Sequence, residues 1–420
     1  MKSAAVRRQR TIAPTPTSSH PSLRRATAVV LAGGASQRFP PDKLAQLVGE
    51  EPLLDRTLIS LPEDFTVVVV GPLRGVARPV IFTTEDPPGG GPAAALVAGV
   101  QRALAESSDA IVTFPADTPL GAQAATTLLS RLESEPDIDA VVGVDAHGRE
   151  QPLHLALRPT AARMLLTGAG PSRAAGVSAR RLLDALRPGL ISHELTPAEL
   201  WDIDTPEQLL AWQMQFSPAV SAILDLIADR RSRSDQPIVI AIDGPSCAGK
   251  SILATAVALR SGASVLEGDD FHRTMLPRLT VAQREAMSDH AVVDAVINWE
   301  RLRHEALLPL RAGHTATFQP YNWGADDGRL EQVKAIRAAD LIIVDGVYAA
   351  RPELADLVDV AVYLGVDPQT RADRYAARHN DPDWTRFWER GEAHYFGVVR
   401  PPASFDLQLD VEDLRNGADA

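Results

Sequence analysis

Short β-branched runs alternate along the chain with Ala/Leu-rich stretches of helical length, the pattern of a mainly parallel sheet covered by helices. The pattern occurs twice. In the first half it predicts strands at Ala28–Ala32, Thr66–Val70, Ala110–Phe114 and Ala140–Val144. In the second it predicts them at Ile238–Ile242, Ser264–Leu266, Leu341–Val344 and Val358–Leu364. Between the halves, Leu209 to Asp229 has helical spacing and runs into the polar stretch Arg230-Arg231-Ser232-Arg233-Ser234-Asp235-Gln236-Pro237, which places a boundary near Phe216. The expected organisation is a disordered basic tail over 1–26, a first domain over 27–215, a helical linker over 216–236, a second domain over 237–410 and a tail over 411–420. No repeat of fixed period joins the halves, so they read as a fusion and not a duplication.

With 420 residues the chain exceeds what one hydrophobic core usually serves. Apolar residues make up 45% and charged residues 23%, and the longest apolar runs, such as Val67 to Val70, are far too short to cross a bilayer. A net charge of −12 argues against a broad nucleic-acid or acidic-membrane footprint, so phosphate contacts are expected to be local. Cys247 is the only cysteine, which excludes an intrachain disulfide and fits a reducing, cytoplasmic setting. Residues 1–26 hold Lys2, Arg7, Arg8, Arg10, Arg24 and Arg25 without an acid, yet show no amphipathic period and no apolar signal region.

Gly244-Pro-Ser246-Cys-Ala248-Gly249-Lys250-Ser251 fits G-x-x-x-x-G-K-[ST] between a predicted strand and a helix-forming run. In such a loop the backbone N–H groups curl around phosphate oxygens, the helix N-terminus adds partial positive charge, Lys250 reaches the outer phosphates and Ser251 holds Mg²⁺. Cys247 lies within it, where a thiol is open to activation or is simply a tolerated small residue. Downstream, Glu267-Gly268-Asp269-Asp270-Phe271-His272-Arg273 brings carboxylates to the C-terminal edge of the sheet, where ligands of open α/β folds bind. One of them is placed to accept a proton from an acceptor hydroxyl. Leu341-Ile-Ile-Val-Asp345 is an apolar strand ending in a second Mg²⁺-side acid, and Arg371, Arg374 and Arg378 share one helical face.

This half resembles the uridine kinase and phosphoribulokinase group over nearly Pro237 to Leu409. The resemblance implies that Asp269 is the catalytic base beside Lys250, and that His272, Arg273, Asp289 and Tyr321 line the acceptor. Asn298-Trp299 and the stretch Phe318 to Trp323 belong to the same acceptor-lining comparison. It also implies an arginine lid of Arg371, Arg374 and Arg378 closing on ATP. Asn322 stands where that group carries Asp, which leaves the acceptor open among nucleosides and sugar phosphates.

In the first half, Leu31-Ala32-Gly33-Gly34-Ala35-Ser36-Gln37-Arg38 leaves a strand and leads to Asp42-Lys43. A glycine turn flanked by two cations suits a nucleoside triphosphate. The string closely resembles the opening motif of the molybdenum cofactor guanylyltransferase group of NTP transferases. Gly91-Pro92, Pro115-Ala116-Asp117-Thr118-Pro119, Gln151-Pro152-Leu153 and Trp201-Asp202-Ile203-Asp204-Thr205-Pro206 follow in that group's order. The resemblance implies nucleotide contacts at Leu31 to Gly34, Arg38 and Lys43 on the leaving pyrophosphate, and Mg²⁺ on Asp117 with Asp204 or Asp202. Asp202 and Asp204 replace Asn residues of the group, so GTP and CTP both stay open as substrates. Molybdopterin is among the acceptors implied.

The expected fold class is therefore α/β in two domains, a Rossmann-like NTP-transferase fold followed by a P-loop NTPase parallel-sheet fold. The expected function is Mg²⁺-dependent nucleotidyl transfer in one half and ATP-dependent phosphorylation of a small molecule in the other, with neither nucleic acid nor membrane as partner. Pro40-Pro41 stands where the transferase group has glycine, which keeps open a first half that binds nucleotide and only regulates the kinase.

Overall fold

The computed structural model describes residues 25–33, 42–169, 174–234, 236–325, 327–378 and 381–412. The basic tail up to residue 24, Gly34, Arg38, the side chain of Arg378 and the last eight residues lie outside that description.

The first half contains β1 (Ala26–Leu31), β2 (Leu47–Val48), β3 (Glu51–Pro52), β4 (Thr66–Val70), β5 (Ile81–Thr83), β6 (Ala110–Pro115), β7 (Ala140–Val144), β8 (Glu150–Leu157) and β9 (Leu190–Glu194). Seven of these form one sheet in the order β5-β4-β1-β6-β8-β7-β9, while β2 and β3 pair separately. From β5 to β6 the strands are parallel, whereas β8 runs antiparallel to both β6 and β7. Alternation along β1 sends Ala28 and Val30 to one face with Leu54 and Leu128, and Val29 to the other with Leu96 and Leu165. Both faces are covered by helices, which is why the strands read as continuous apolar runs.

The second half contains β10 (Ile238–Asp243), β11 (Ser264–Glu267), β12 (Ala316–Phe318), β13 (Lys334–Ile336), β14 (Leu341–Asp345), β15 (Val360–Gly365) and β16 (Leu407–Asp410). An all-parallel sheet takes the order β11-β14-β10-β15-β16, and β12 and β13 form a small hairpin pair. The sequence pattern identified eight of the strands. In the two large sheets it missed the short β5, β9 and β16, and β8, where Glu150, Gln151, Pro152 and His154 break the apolar pattern; it also missed the small pairs β2–β3 and β12–β13.

The segment expected to be a linker is a helix, Pro218–Arg231, capped by the Ser217 hydroxyl. Its Val220, Ile223 and Ile227 are buried against Ile240 and Leu253, so the helix is a covering layer of the second sheet and not a free tether. The preceding helix, Pro206–Met214, packs against the helix Lys250–Ser261, and Arg260 Nη1 donates to the Gln215 carbonyl at 3.0 Å. No described helix is long and apolar enough to cross a membrane.

His154 is buried in β8 and its Nε2 has no partner among the described residues. Burial pushes the imidazole down from 6.5 to about 4, against a weaker opposing pull from Glu199. The unfolded chain therefore takes up this proton first, and the stability tied to neutral His154 is lost as pH falls from 6.5 towards 4. Between pH 7.5 and 5 the wild-type first domain is expected to lose about 2 kcal/mol through this group. Chemical unfolding of His154→Leu at the two pH values should show a correspondingly smaller loss.

Candidate active sites

At the C-terminal edge of the first sheet, β1 ends and Ala32 N donates to the Val70 carbonyl at 2.8 Å, while Leu31 accepts from Ala116 N at 2.9 Å. These bonds hold the turn at Gly33 beside the loop that follows β6. A Cβ at Gly33 would lie 3.3 Å from the Glu85 carboxylate, which itself accepts from Gly89 N at 3.2 Å. The glycine leaves a narrow slot bordered by an acid that sequence reasoning had not singled out.

Lys43, only 8% exposed, opens a short 3₁₀ turn whose cap is the Asp42 carboxylate. Its Nζ donates to Asp117 Oδ2 at 2.6 Å and to Asp204 Oδ1 at 2.8 Å. Lys43, expected on the leaving pyrophosphate, therefore bridges the two carboxylates expected to hold metal, since a buried ammonium needs opposite charge close by. Burial alone would lower the lysine, but the bonds and charges of Asp117 and Asp204 outweigh it and raise it above 10.5. Asp204 is presented by a tight frame: Ile203 N donates to the Asp117 carbonyl at 3.0 Å, and Thr205 and Gln208 form a capping box that starts the next helix. Asp202 completes the group; desolvation, then repulsion from Asp204 and Asp117, raises its carboxyl.

In the second half, β10 leaves its sheet through Gly244, where a Cβ would stand 2.2 Å from the Leu364 carbonyl oxygen. Just before it, fully buried Asp243 accepts from Gly244 N (2.7 Å), Tyr348 N (2.9 Å), Ala350 N (3.0 Å) and the Tyr395 hydroxyl (3.0 Å). This carboxylate fastens the start of the phosphate loop to two other segments. Gly249 caps the helix Lys250–Ser261, which places the loop at a helix N-terminus. Lys250 is buried and its Nζ rests on the Pro245 carbonyl at 2.9 Å. Asp345, at the end of β14, is bonded to the Ser251 side chain; burial raises it to about 6, against the pull of Lys250 and Ser251. Its Oδ1 is buried without a hydrogen-bond partner.

The acceptor side is aromatic. The His272 ring lies 4.8 Å from Tyr321, tilted, and 4.9 Å from Trp323, edge-on, and Trp323 Nε1 donates to the Asp269 carbonyl at 3.3 Å. Asp269, His272 and Tyr321 are thus brought to one place. Arg273 is instead committed to the Asp294 carbonyl at 2.8 Å, and Asp289 pairs with Arg390 at 3.1 Å. Lys334 from β13 holds Asp270 at 2.7 Å, a support that its loop-like sequence did not announce. Arg371 bonds to Glu392 at 2.6 Å and Arg374 to the carbonyls of Cys247 (2.9 Å) and Ala248 (3.3 Å), so both arginines reach the loop region. Ser246 donates from its N–H and hydroxyl to Glu392 as well. Glu392 belongs to no motif of the sequence, and only the fold brings it 146 residues back to the loop.

Residues 28–189 match the MobA-like NTP transferase domain. A molybdenum cofactor guanylyltransferase from Acidiphilium cryptum is 32% identical over 169 residues, 38% of this chain and 82% of that protein. The chain belongs to the MobA-like NTP transferase family through its N-terminal half. Residues 239–378 match the phosphoribulokinase / uridine kinase family. Among solved structures, a possible uridine kinase from Bacillus stearothermophilus is 21% identical, with 46% of this chain and 100% of that one covered at a TM-score of 0.35. Molybdopterin-guanine dinucleotide biosynthesis protein A from Archaeoglobus fulgidus is 17% identical, with 44% and 96% covered at 0.34. The MobA-like half carries the strand-to-glycine turn and the three acids; the kinase-like half carries the phosphate loop.

The exit of β10 makes a sharp stability prediction. Gly244→Ala is expected to lower the stability of the second domain by about 2–4 kcal/mol, because its Cβ collides with backbone. Gly262→Ala, at a φ of 69° with nothing within 4 Å, meets only conformational strain and should cost about 1 kcal/mol. Urea unfolding of the two variants separates the effects.

Proposed function

We propose that the chain is a bifunctional enzyme, a MobA-like nucleotidyltransferase fused to an ATP-dependent kinase of small hydroxyl acceptors. The observation that carries this reading is that each sheet ends in a lysine with carboxylate close by: Lys43 with Asp117, Asp202 and Asp204 in the mixed first sheet, and Lys250 with Asp345, beside Ser251, in the parallel second. GTP is the favoured substrate of the first site, with CTP as the alternative, and a molybdopterin-like phosphorylated acceptor fits the family.

The donor sets suit Mg²⁺, a hard cation that takes carboxylate and hydroxyl oxygens. Asp345 has a buried oxygen without a partner beside Ser251, and Asp117 and Asp204 present oxygens to a common cation. Among the described residues no group of three His, Cys, Asp or Glu side chains is arranged to hold a metal ion by itself. When bound, Mg²⁺ neutralises charge on the phosphoryl oxygens.

In the first site, an acceptor phosphate oxygen forms its bond to the α-phosphorus while the bond to pyrophosphate breaks. Lys43 swings from the carboxylates to the phosphates. In the second, Asp269 takes the proton of the acceptor hydroxyl as that oxygen bonds to the γ-phosphorus and ADP leaves. Lys250 turns from the Pro245 carbonyl to the outer phosphates. The rings of His272, Tyr321 and Trp323 give the acceptor an apolar wall. A second reading, in which the first half binds nucleotide and regulates the kinase without turnover, draws on Lys43 holding both acids at once.

Nucleotide titration of the full chain with Mg²⁺ tests the assignment. Lys250→Ala should lose ATP binding by at least tenfold and keep a GTP or CTP site, and Lys43→Met should do the converse. Saturation at a hundred times the dissociation constant adds about 2.7 kcal/mol of stability, readable as a shift in Tm. Loss of every nucleotide site in Lys250→Ala would overturn the two-site reading, and a GTP or CTP site without pyrophosphate release from any acceptor would favour the regulatory one.

A further inference from the structure

The phosphate loop already holds an anion supplied by the chain. Glu392, 3% exposed on the helix Pro382–His394, accepts from Ser246 N at 2.9 Å and Ser246 Oγ at 2.6 Å through Oε1. Its Oε2 accepts from Arg371 Nη2 at 2.6 Å. A loop amide, a hydroxyl and a guanidinium are the donors that recognise a phosphoryl oxygen, and here a carboxylate takes all three. The Arg371 Nε is buried without a hydrogen-bond partner, so the guanidinium has a donor left for a further oxygen. Arg374 meanwhile reaches the carbonyls of Cys247 and Ala248, which brings the arginine helix Pro368–Arg378 against the same loop.

We propose that Glu392 is an internal competitor for the terminal phosphate of the nucleoside triphosphate, holding Arg371 and Ser246 until that phosphate replaces its carboxylate. The inference rests on the kinase reading of this site and adds a determinant that weakens triphosphate binding while leaving diphosphate binding unchanged. A diphosphate seated in the deeper part of the loop leaves the Glu392 bonds in place. A third phosphate meets a buried like charge that already uses its donors, so it gains Arg371 and Ser246 only by exchange. The same exchange frees the helix carrying Glu392, which makes the segment report which nucleotide is bound.

Calorimetric titration of the full-length protein with Mg²⁺ and either ADP or the non-hydrolysable β,γ-imido analogue of ATP tests this. Glu392→Gln is expected to bind the triphosphate about tenfold more tightly than wild type and ADP within twofold of it. A selective loss of triphosphate affinity would overturn the proposal and make Glu392 a support for Arg371. Equal changes for both ligands would overturn it in favour of a packing role. Hydrogen exchange on the unmutated protein gives a measurement independent of the folding of the variant. Exchange across 382–394 should rise with the triphosphate analogue and stay level with ADP, and equal protection by both would overturn the proposal. Failure of the wild type to bind either nucleotide would sink the kinase reading itself.

Discussion

A strand flanked by parallel neighbours has little room to leave its sheet, and this constraint shapes both sites. After β10, a side chain on Gly244 would penetrate the Leu364 carbonyl at 2.2 Å. After β4, a Cβ on Gly71 would stand 2.7 Å from the Ala32 carbonyl, beside the turn that leaves β1. Glycine is imposed at these exits by the neighbouring backbone. The same turns lie at the C-terminal edge of each sheet, where side chains from several strand ends meet. Crowding inside the sheet and phosphate recognition at its edge are thus two consequences of one geometry.

Much of this was legible because the signals are local. Val67 to Val70 and Leu341 to Val344 are runs that only a doubly covered strand explains, and Gly244 to Ser251 carries its chemistry in contiguous residues. Asp117, Asp202 and Asp204 could be named from motif resemblance alone. What stayed hidden depends on contacts distant in sequence. Asp243 lies between the expected strand Ile238–Ile242 and the glycine-rich motif and belongs to neither, yet it ties Gly244 to Tyr348, Ala350 and Tyr395. Glu392 lies in a polar, aromatic-rich helix with no motif, and Lys334 in a short hairpin strand of mixed character. The covering helix Pro218–Arg231 did carry a signal, Val220, Ile223 and Ile227 on one stripe, but the charged run behind it reads as a tether.

The junction between the halves is built from elements that also start at the sites. The helix Pro206–Met214 begins two residues after Asp204, through the Thr205–Gln208 capping box. It packs against the helix Lys250–Ser261, whose first two residues belong to the phosphate loop. Trp212 lies in the first core and Met214 in the second, so one helix is buried on both sides of the boundary. A shift of the peptide carrying Asp202 and Asp204 would press on the element that presents Lys250 and Ser251. Packed helices thus connect the element that follows Asp204 with the one that carries Lys250 and Ser251.

Each site pairs several of its charges with the chain's own side chains, and that bears on how a nucleotide would bind. Lys43 answers Asp117 and Asp204, while Arg371 and Ser246 answer Glu392. Burying an unanswered ammonium or carboxylate costs several kcal/mol, so sites rich in charge at a sheet edge are stable only with such pairing. A triphosphate arriving at either edge exchanges one set of ion pairs for another, and its affinity is the difference between the two sets. The internal partners have opposite signs. In the first site the displaced group is a cation that can follow the phosphates; in the second it is an anion that must withdraw from them. On the proposed reading, entry of a nucleotide would draw Lys43 towards the ligand and drive Glu392 away, so the same ligand chemistry would close one site around its cation and loosen the helix that carries Glu392 at the other.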